Sequence, residues 1–188
     1  ASPYERTIKL EADMFITQPV YHWWKAFEQR DVVLCTTIRN FKQEISNQRF
    51  YRRLIDDNKL PDVYNAMTYF RKSETAKEFF TLVRFIFENW ADVRKTLMCN
   101  TDEPATTDWV YAYAAHVIGK DKVTLPDYTA FSMVHMKQHI NGLPTEDWTQ
   151  ILISETLPYA LRINTVPQLY PFHYHIKDFA DKLERLYA

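Results

Sequence analysis

The residues best suited to chemistry in this chain are the acids of Glu11-Ala12-Asp13, which follow the weakly alternating Thr7–Leu10 and lead into Met14-Phe15-Ile16. On an extended chain, residues two apart point to the same side, so both carboxylates could hold one hard divalent cation. Acid pairs at this spacing are common at solvated strand ends, and the reading therefore depends on partners from elsewhere. Two further residues with donor atoms, His173 and His175, stand in Tyr170-Pro-Phe-His-Tyr-His-Ile-Lys177, where strand alternation would put both imidazoles on one face and His175 forms a His-x-Lys triplet with Lys177. The same triplet occurs at His135 and Lys137, which does not amount to a repeat. His22, His116, His135 and His139 are read as structural.

Other chemistries are restricted by composition. Only two of the 188 residues are glycine, Gly119 and Gly142, so neither a P-loop nor a dinucleotide fingerprint can form. Any phosphate ligand must be held by metal ions, cationic side chains or helix N-termini. A net charge of −1 provides no global field for a polyanion. Cys35 and Cys99 lie far apart without zinc spacing and suit a reducing cytoplasm, where the chain is expected as a soluble protein. With no HExxH motif, a metallohydrolase built on the same acids and histidines has less support.

The positioning elements read as α/β, within one domain spanning residues 1–188. A short strand ends at the two acids, and a helix opening at Pro19 presents Trp23, Trp24 and Phe27. Asp31–Thr36 and Tyr64–Phe70 read as buried strands, and residues 46–57 as a helix with Arg49, Arg52 and Arg53 open to solvent or ligand. Ser73 caps a long helix over Glu74–Asn89, whose apolar stripe is Ala76, Phe79, Phe80, Val83, Phe87 and Trp90. A further helix covers Asp108–Val117, behind the capping residues Thr106 and Thr107. Beyond Gly119 the chain turns to short strands and loops broken by Pro126, Pro144, Pro158, Pro167 and Pro171, and a last helix spans Asp178–Tyr187.

The block Ser2-Pro-Tyr-Glu-Arg-Thr-Ile-Lys-Leu-Glu-Ala-Asp-Met-Phe-Ile16, followed by Gln18-Pro19 and Trp23-Trp24, resembles the metal-binding strand and next helix of GT-A fold glycosyltransferases. Tyr64-Asn-Ala-Met-Thr-Tyr-Phe-Arg-Lys-Ser73 is similar to a downstream strand of that family, and the likeness covers at least Ser2–Asn89. The segment Tyr170–Lys177 looks like the family's late histidine-and-lysine stretch. The resemblance implies a GT-A-like mixed sheet flanked by helices, and transfer of a sugar from a nucleotide-diphosphate donor to an acceptor hydroxyl with Mn²⁺ or Mg²⁺. It implies metal ligation by Glu11, Asp13 and a histidine, His175 before His173 because His175 shares its motif with Lys177, with Mn²⁺ suited better than Mg²⁺ to carboxylates plus one imidazole; it also implies donor diphosphate contact by Lys177 and sugar contact by Asn65. Asp108 is the candidate acid near the acceptor. A polysaccharide, a protein, a metabolite or a modified nucleobase would each serve as acceptor, and the basic stretch Arg39, Lys42, Arg49, Arg52 and Arg53 gives slight weight to an anionic one.

The chain departs from the family pattern in three ways. Glu11 stands where an aspartate is commoner, and Met67 stands where glycine is common. The sequence also begins just before the metal-binding strand, without the β-α-β units that grip the nucleotide. The expectation is that upstream residues or another chain cover the open sheet. The alternative is a non-catalytic binding or structural subunit on the same scaffold, and the discriminating feature is whether the acids and the histidine converge.

Overall fold

The computed structural model describes residues 2–46, 52–97, 104–157 and 160–181. In chain order the first half contains β1 (Arg6–Leu10), β2 (Met14–Phe15), α1 (Tyr21–Phe27), β3 (Val32–Cys35), β4 (Thr37–Arg39), α2 (Arg53–Asp57), β5 (Tyr64–Arg71), α3 (Glu74–Glu88) and α4 (Trp90–Val93). The second half contains α5 (Thr107–Ile118), β6 (Ser132–His135), α6 (Gln138–Asn141), β7 (Ser154–Leu157), β8 (Ala160–Ile163), β9 (Val166–Pro167) and β10 (Phe172–His173). The α/β class expected from the sequence is observed. Among the described residues the strands divide among three small sheets, one of them mixed, rather than lying in one sheet. The chain packs as two compact units, each assembled from three separate stretches.

The first unit comprises Ala1–Leu10, Trp23–Thr36 and Arg49–Ala130. Its sheet has the order β1-β5-β3, both pairs antiparallel, with Leu10 opposite Met67 and a register shift at Leu34/Cys35. The strand over Tyr64–Arg71 is buried through its first six residues, as its apolar and β-branched content requires. Against it packs α3, whose start is fixed by Ser73: the side chain accepts from the Ala76 N–H at 3.1 Å. The buried face of α3 is Ala76, Phe79, Val83 and Ile86, and Phe87 is exposed, one step off the expected stripe. At α5 the cap is Thr106, which accepts from the Trp109 N–H at 3.3 Å, and Gly119 ends the helix at a φ of 103°. The apolar core joins Val32, Leu34, Ile55, Val63, Phe79, Ile86, Val110 and Ala114.

Among the described residues, a buried cation lies inside this unit. Arg52, only 2% exposed, donates from Nε to Asp62 at 2.9 Å, from Nη1 to Asp108 at 2.7 Å and from Nη2 to the Val63 carbonyl at 2.6 Å. Its guanidinium also covers the Tyr64 ring at 4.2 Å. Arg52 therefore is not open to solvent, because its planar fork is used up by two carboxylates and a carbonyl. Arg49 lies outside the described residues.

The second unit comprises Glu11–His22, Thr37–Gln48 and Phe131–Ala188. Its four-stranded sheet has the order β2-β10-β6-β4, antiparallel between β2 and β10 and parallel in the other two pairs. A three-stranded sheet, β7-β8-β9, completes the unit. Asn164 and Thr165 join β8 to β9 with φ of 46° and 70°, the left-handed pair that a two-residue hairpin needs. Trp148 anchors the core: its ring meets Phe179 at 4.7 Å and Phe172 at 5.8 Å, and its Nε1 donates to the Tyr174 carbonyl at 2.8 Å. The final helix is present over residues 178–181, and its expected continuation lies outside the described residues.

Replacing Arg52 with Met should leave Asp62 and Asp108 without their counter-ion and cost about 3 kcal/mol of unfolding free energy. Urea denaturation measures this, and an unchanged midpoint would mean that the buried guanidinium contributes nothing net.

Candidate functional site

Four side chains of the second unit, Glu11, Asp13, His135 and His175, gather around His173. Glu11 and Asp13 belong to the connection from β1 to β2, with Ala12 and Asp13 in a turn rather than on an extended strand. Their common orientation therefore comes from the turn, not from strand alternation. The turn is held in place by the Tyr174 N–H, which donates to the Asp13 carbonyl at 3.1 Å. Opposite it, His173 Nε2 lies 3.0 Å from Asp13 Oδ1 and 3.2 Å from Glu11 Oε2.

Parallel pairing of β10 with β6 puts His135 directly beside His173, with their Nδ1 atoms 3.2 Å apart. His175 follows β10 with a φ of 60°, so it is not on the strand and does not alternate with His173. That left-handed residue folds its ring back onto His173, with centroids 3.8 Å apart, and aims Nε2 at His135 Nδ1 at 3.2 Å. The other nitrogen of His175, Nδ1, faces Asp13 Oδ2 at 3.8 Å. Two donor sets result: Glu11, Asp13 and His173 on one side, and His135, His173 and His175 on the other.

The sequence preference for His175 over His173 is thus reordered, since His173 meets both carboxylates. His135, read from sequence as structural, is part of the cluster. Its signal was the second His-x-Lys triplet, His135-Met136-Lys137, which carries the charge of Lys137 near both His173 and His175. Lys177 is exposed. Asn65 and Asp108 belong to the first unit and meet each other there: Asp108 Oδ1 accepts from the Asn65 N–H at 2.8 Å while Oδ2 takes Arg52. Asn65 is buried and receives Lys9 Nζ on its carbonyl at 3.0 Å and on Oδ1 at 2.9 Å.

Burial decides the protonation of the cluster. Desolvation, with the charges of His173 and Lys137 adding to it, pushes His175 down to about 3. Desolvation also lowers His173, against the opposing pull of Asp13 and Glu11. Both rings are therefore neutral near pH 7 and offer lone pairs. Glu11, Asp13 and His173 form a donor set fit for a divalent ion, two carboxylates and one imidazole that favour Mn²⁺ over Mg²⁺, and the three imidazoles form a second, nitrogen-only set.

Comparison of the chain with protein-family models, curated proteins and solved structures gives no match. Among the described residues, no helix is long and apolar enough to cross a membrane.

The depressed pKa of His175 sets a sign for stability. The folded state refuses a proton that the unfolded state accepts below about 6.5, so this contribution is full above that pH and is lost as pH falls toward 3. In metal-free protein, unfolding free energy should drop on acidification, and His175→Gln should flatten the slope between pH 6.5 and 4. Parallel pH profiles for the two proteins would refute the assignment.

Proposed function

We propose that the chain is a metal-dependent glycosyltransferase with a GT-A-like scaffold, which moves a sugar from a nucleotide-diphosphate donor to an acceptor hydroxyl. The observation that carries this reading is the convergence of Glu11 and Asp13 on His173, 160 residues beyond Asp13 in the chain. The sequence resemblance over Ser2–Asn89 supplies the reaction class.

In that reaction the bond from the anomeric carbon to the diphosphate oxygen breaks, a bond to the acceptor oxygen forms, and the hydroxyl proton is released. A bound Mn²⁺ supplies neutralisation of the diphosphate leaving group. Glu11, Asp13 and His173 would hold it, with His173 in the place first given to His175. Lys177, exposed at the end of the same segment, offers a point charge to phosphate oxygens, and Lys137 adds a second cation to this region.

Asp108 and Asn65 receive a different assignment. Both carboxylate oxygens of Asp108 are engaged, by Arg52 and by the Asn65 N–H, so its role is to tie α5 to β5. This observation favours the rival reading, a binding scaffold without turnover, in which the acid of the reacting set is lost. Asp108→Asn should therefore lower stability by about 1–3 kcal/mol, as expected for a charged hydrogen-bond partner. Denaturant unfolding reads that loss, and a fully stable variant would return Asp108 to the reacting set.

Titration calorimetry with UDP and GDP, with and without Mn²⁺, tests the proposal. Nucleotide binding should require Mn²⁺, and Asp13→Asn should weaken it by about 100-fold or more, beyond the range for outer-shell partners of a metal. Metal-independent binding, or none, would favour the scaffold reading.

A further inference from the structure

The histidine side of the cluster has a geometry of its own. Asp13 Oδ1 faces His173 Nε2 at 3.0 Å, and Asp13 Oδ2 is turned toward His175 Nδ1 at 3.8 Å. The Asp13 carboxylate is thus within hydrogen-bond distance of the outer nitrogen of His173, reinforced by Glu11 at 3.2 Å, and lies near that of His175 without bonding it. A ring that donates its outer N–H to a carboxylate keeps its lone pair on the inner nitrogen, the arrangement that orients histidines toward a metal. The inner nitrogens here are His173 Nδ1 and His175 Nε2, and each lies 3.2 Å from His135 Nδ1.

That spacing is informative. Nitrogens about 2.0–2.1 Å from a tetrahedral Zn²⁺ sit about 3.3 Å from one another, from the tetrahedral angle alone. Both separations to His135 Nδ1, at 3.2 Å, lie close to this value. His135 and His173 are buried and paired across neighbouring strands, so two of the three ligands are held by the sheet itself.

We propose that His135, His173 and His175 form a Zn²⁺-class site on the opposite side of His173 from the carboxylates, and that its occupancy excludes Mn²⁺ from the carboxylate side. The exclusion follows from the single lone pair of a neutral imidazole: His173 offers Nδ1 to the imidazole side or Nε2 to the carboxylate side, not both. The zinc site stands on the histidine geometry alone, and only its antagonism rests on the proposed Mn²⁺ role.

Co²⁺ is the probe, because a tetrahedral nitrogen-rich site gives it strong visible absorption and an octahedral oxygen-rich site gives weak absorption. The full chain titrated with Co²⁺ should develop the strong bands at one equivalent, and Zn²⁺ should erase them. His135→Gln should abolish the bands and weaken Zn²⁺ binding by more than about 10-fold, while its Mn²⁺ affinity, read by the paramagnetic resonance of free Mn²⁺, stays at the parent value. His175→Gln, altering a less buried ring, should also abolish the bands, so the test survives a His135 variant that fails to fold. Weak octahedral bands in the parent chain, or strong bands that persist in a folded variant, would overturn the site. Simultaneous binding of Zn²⁺ and Mn²⁺ would overturn the antagonism, and loss of nucleotide binding alone would touch only the glycosyltransferase reading.

Discussion

The register between β6 and β10 is the constraint on which the candidate site depends. Parallel pairing sets His173 beside His135, and the Met136 N–H donates to the His173 carbonyl at 3.0 Å to carry the pairing past the end of β6. A one-residue slip would send one of the two rings to the opposite face of the sheet. The register is fixed from outside the site by apolar packing, since Phe172 precedes His173 and is fully buried against Trp148. The aromatic core of the second unit and the polar cluster are therefore two faces of one strand pair.

The electrostatics follow from where that pair lies. Burial strips the proton from His173 and His175, whereas Glu11 and Asp13 keep about a third of their side-chain surface in water. The site thus brings neutral nitrogen donors from the interior and anionic oxygen donors from the rim. Such a combination accommodates borderline cations better than purely hard ones. In the first unit the opposite solution is found: Arg52 brings a buried charge and surrounds it with two carboxylates, a carbonyl and a ring, leaving nothing to bind.

The local elements were legible in the sequence because local physics sets them. Ser73 and Thr106 cap the helices they were expected to cap, and the apolar strand over Tyr64–Arg71 is buried as its pattern requires. The acids of Glu11-Ala12-Asp13 were legible as residue types, but the turn that orients them was not, because a pair two residues apart has no local mark separating strand from turn. For His135 the sequence offered the second His-x-Lys triplet but not its neighbour. Its place beside His173 is a pairing across 38 residues, and a single sequence does not encode the partner of a strand. The division into three sheets was hidden likewise, since each strand is consistent with one sheet or several.

The interleaving of the two units has a consequence for the chain as a material object. Between residues 10 and 131 the backbone passes from one unit to the other five times, and Glu11 is the first residue after the first passage. No single cut releases either unit intact: a break between 130 and 131 would leave the acids and β4 behind with the wrong half. Long-range closures of this kind slow folding and make it depend on the whole sequence. A nascent chain would hold its carboxylates for more than a hundred residues of synthesis before the first histidine of the cluster arrived.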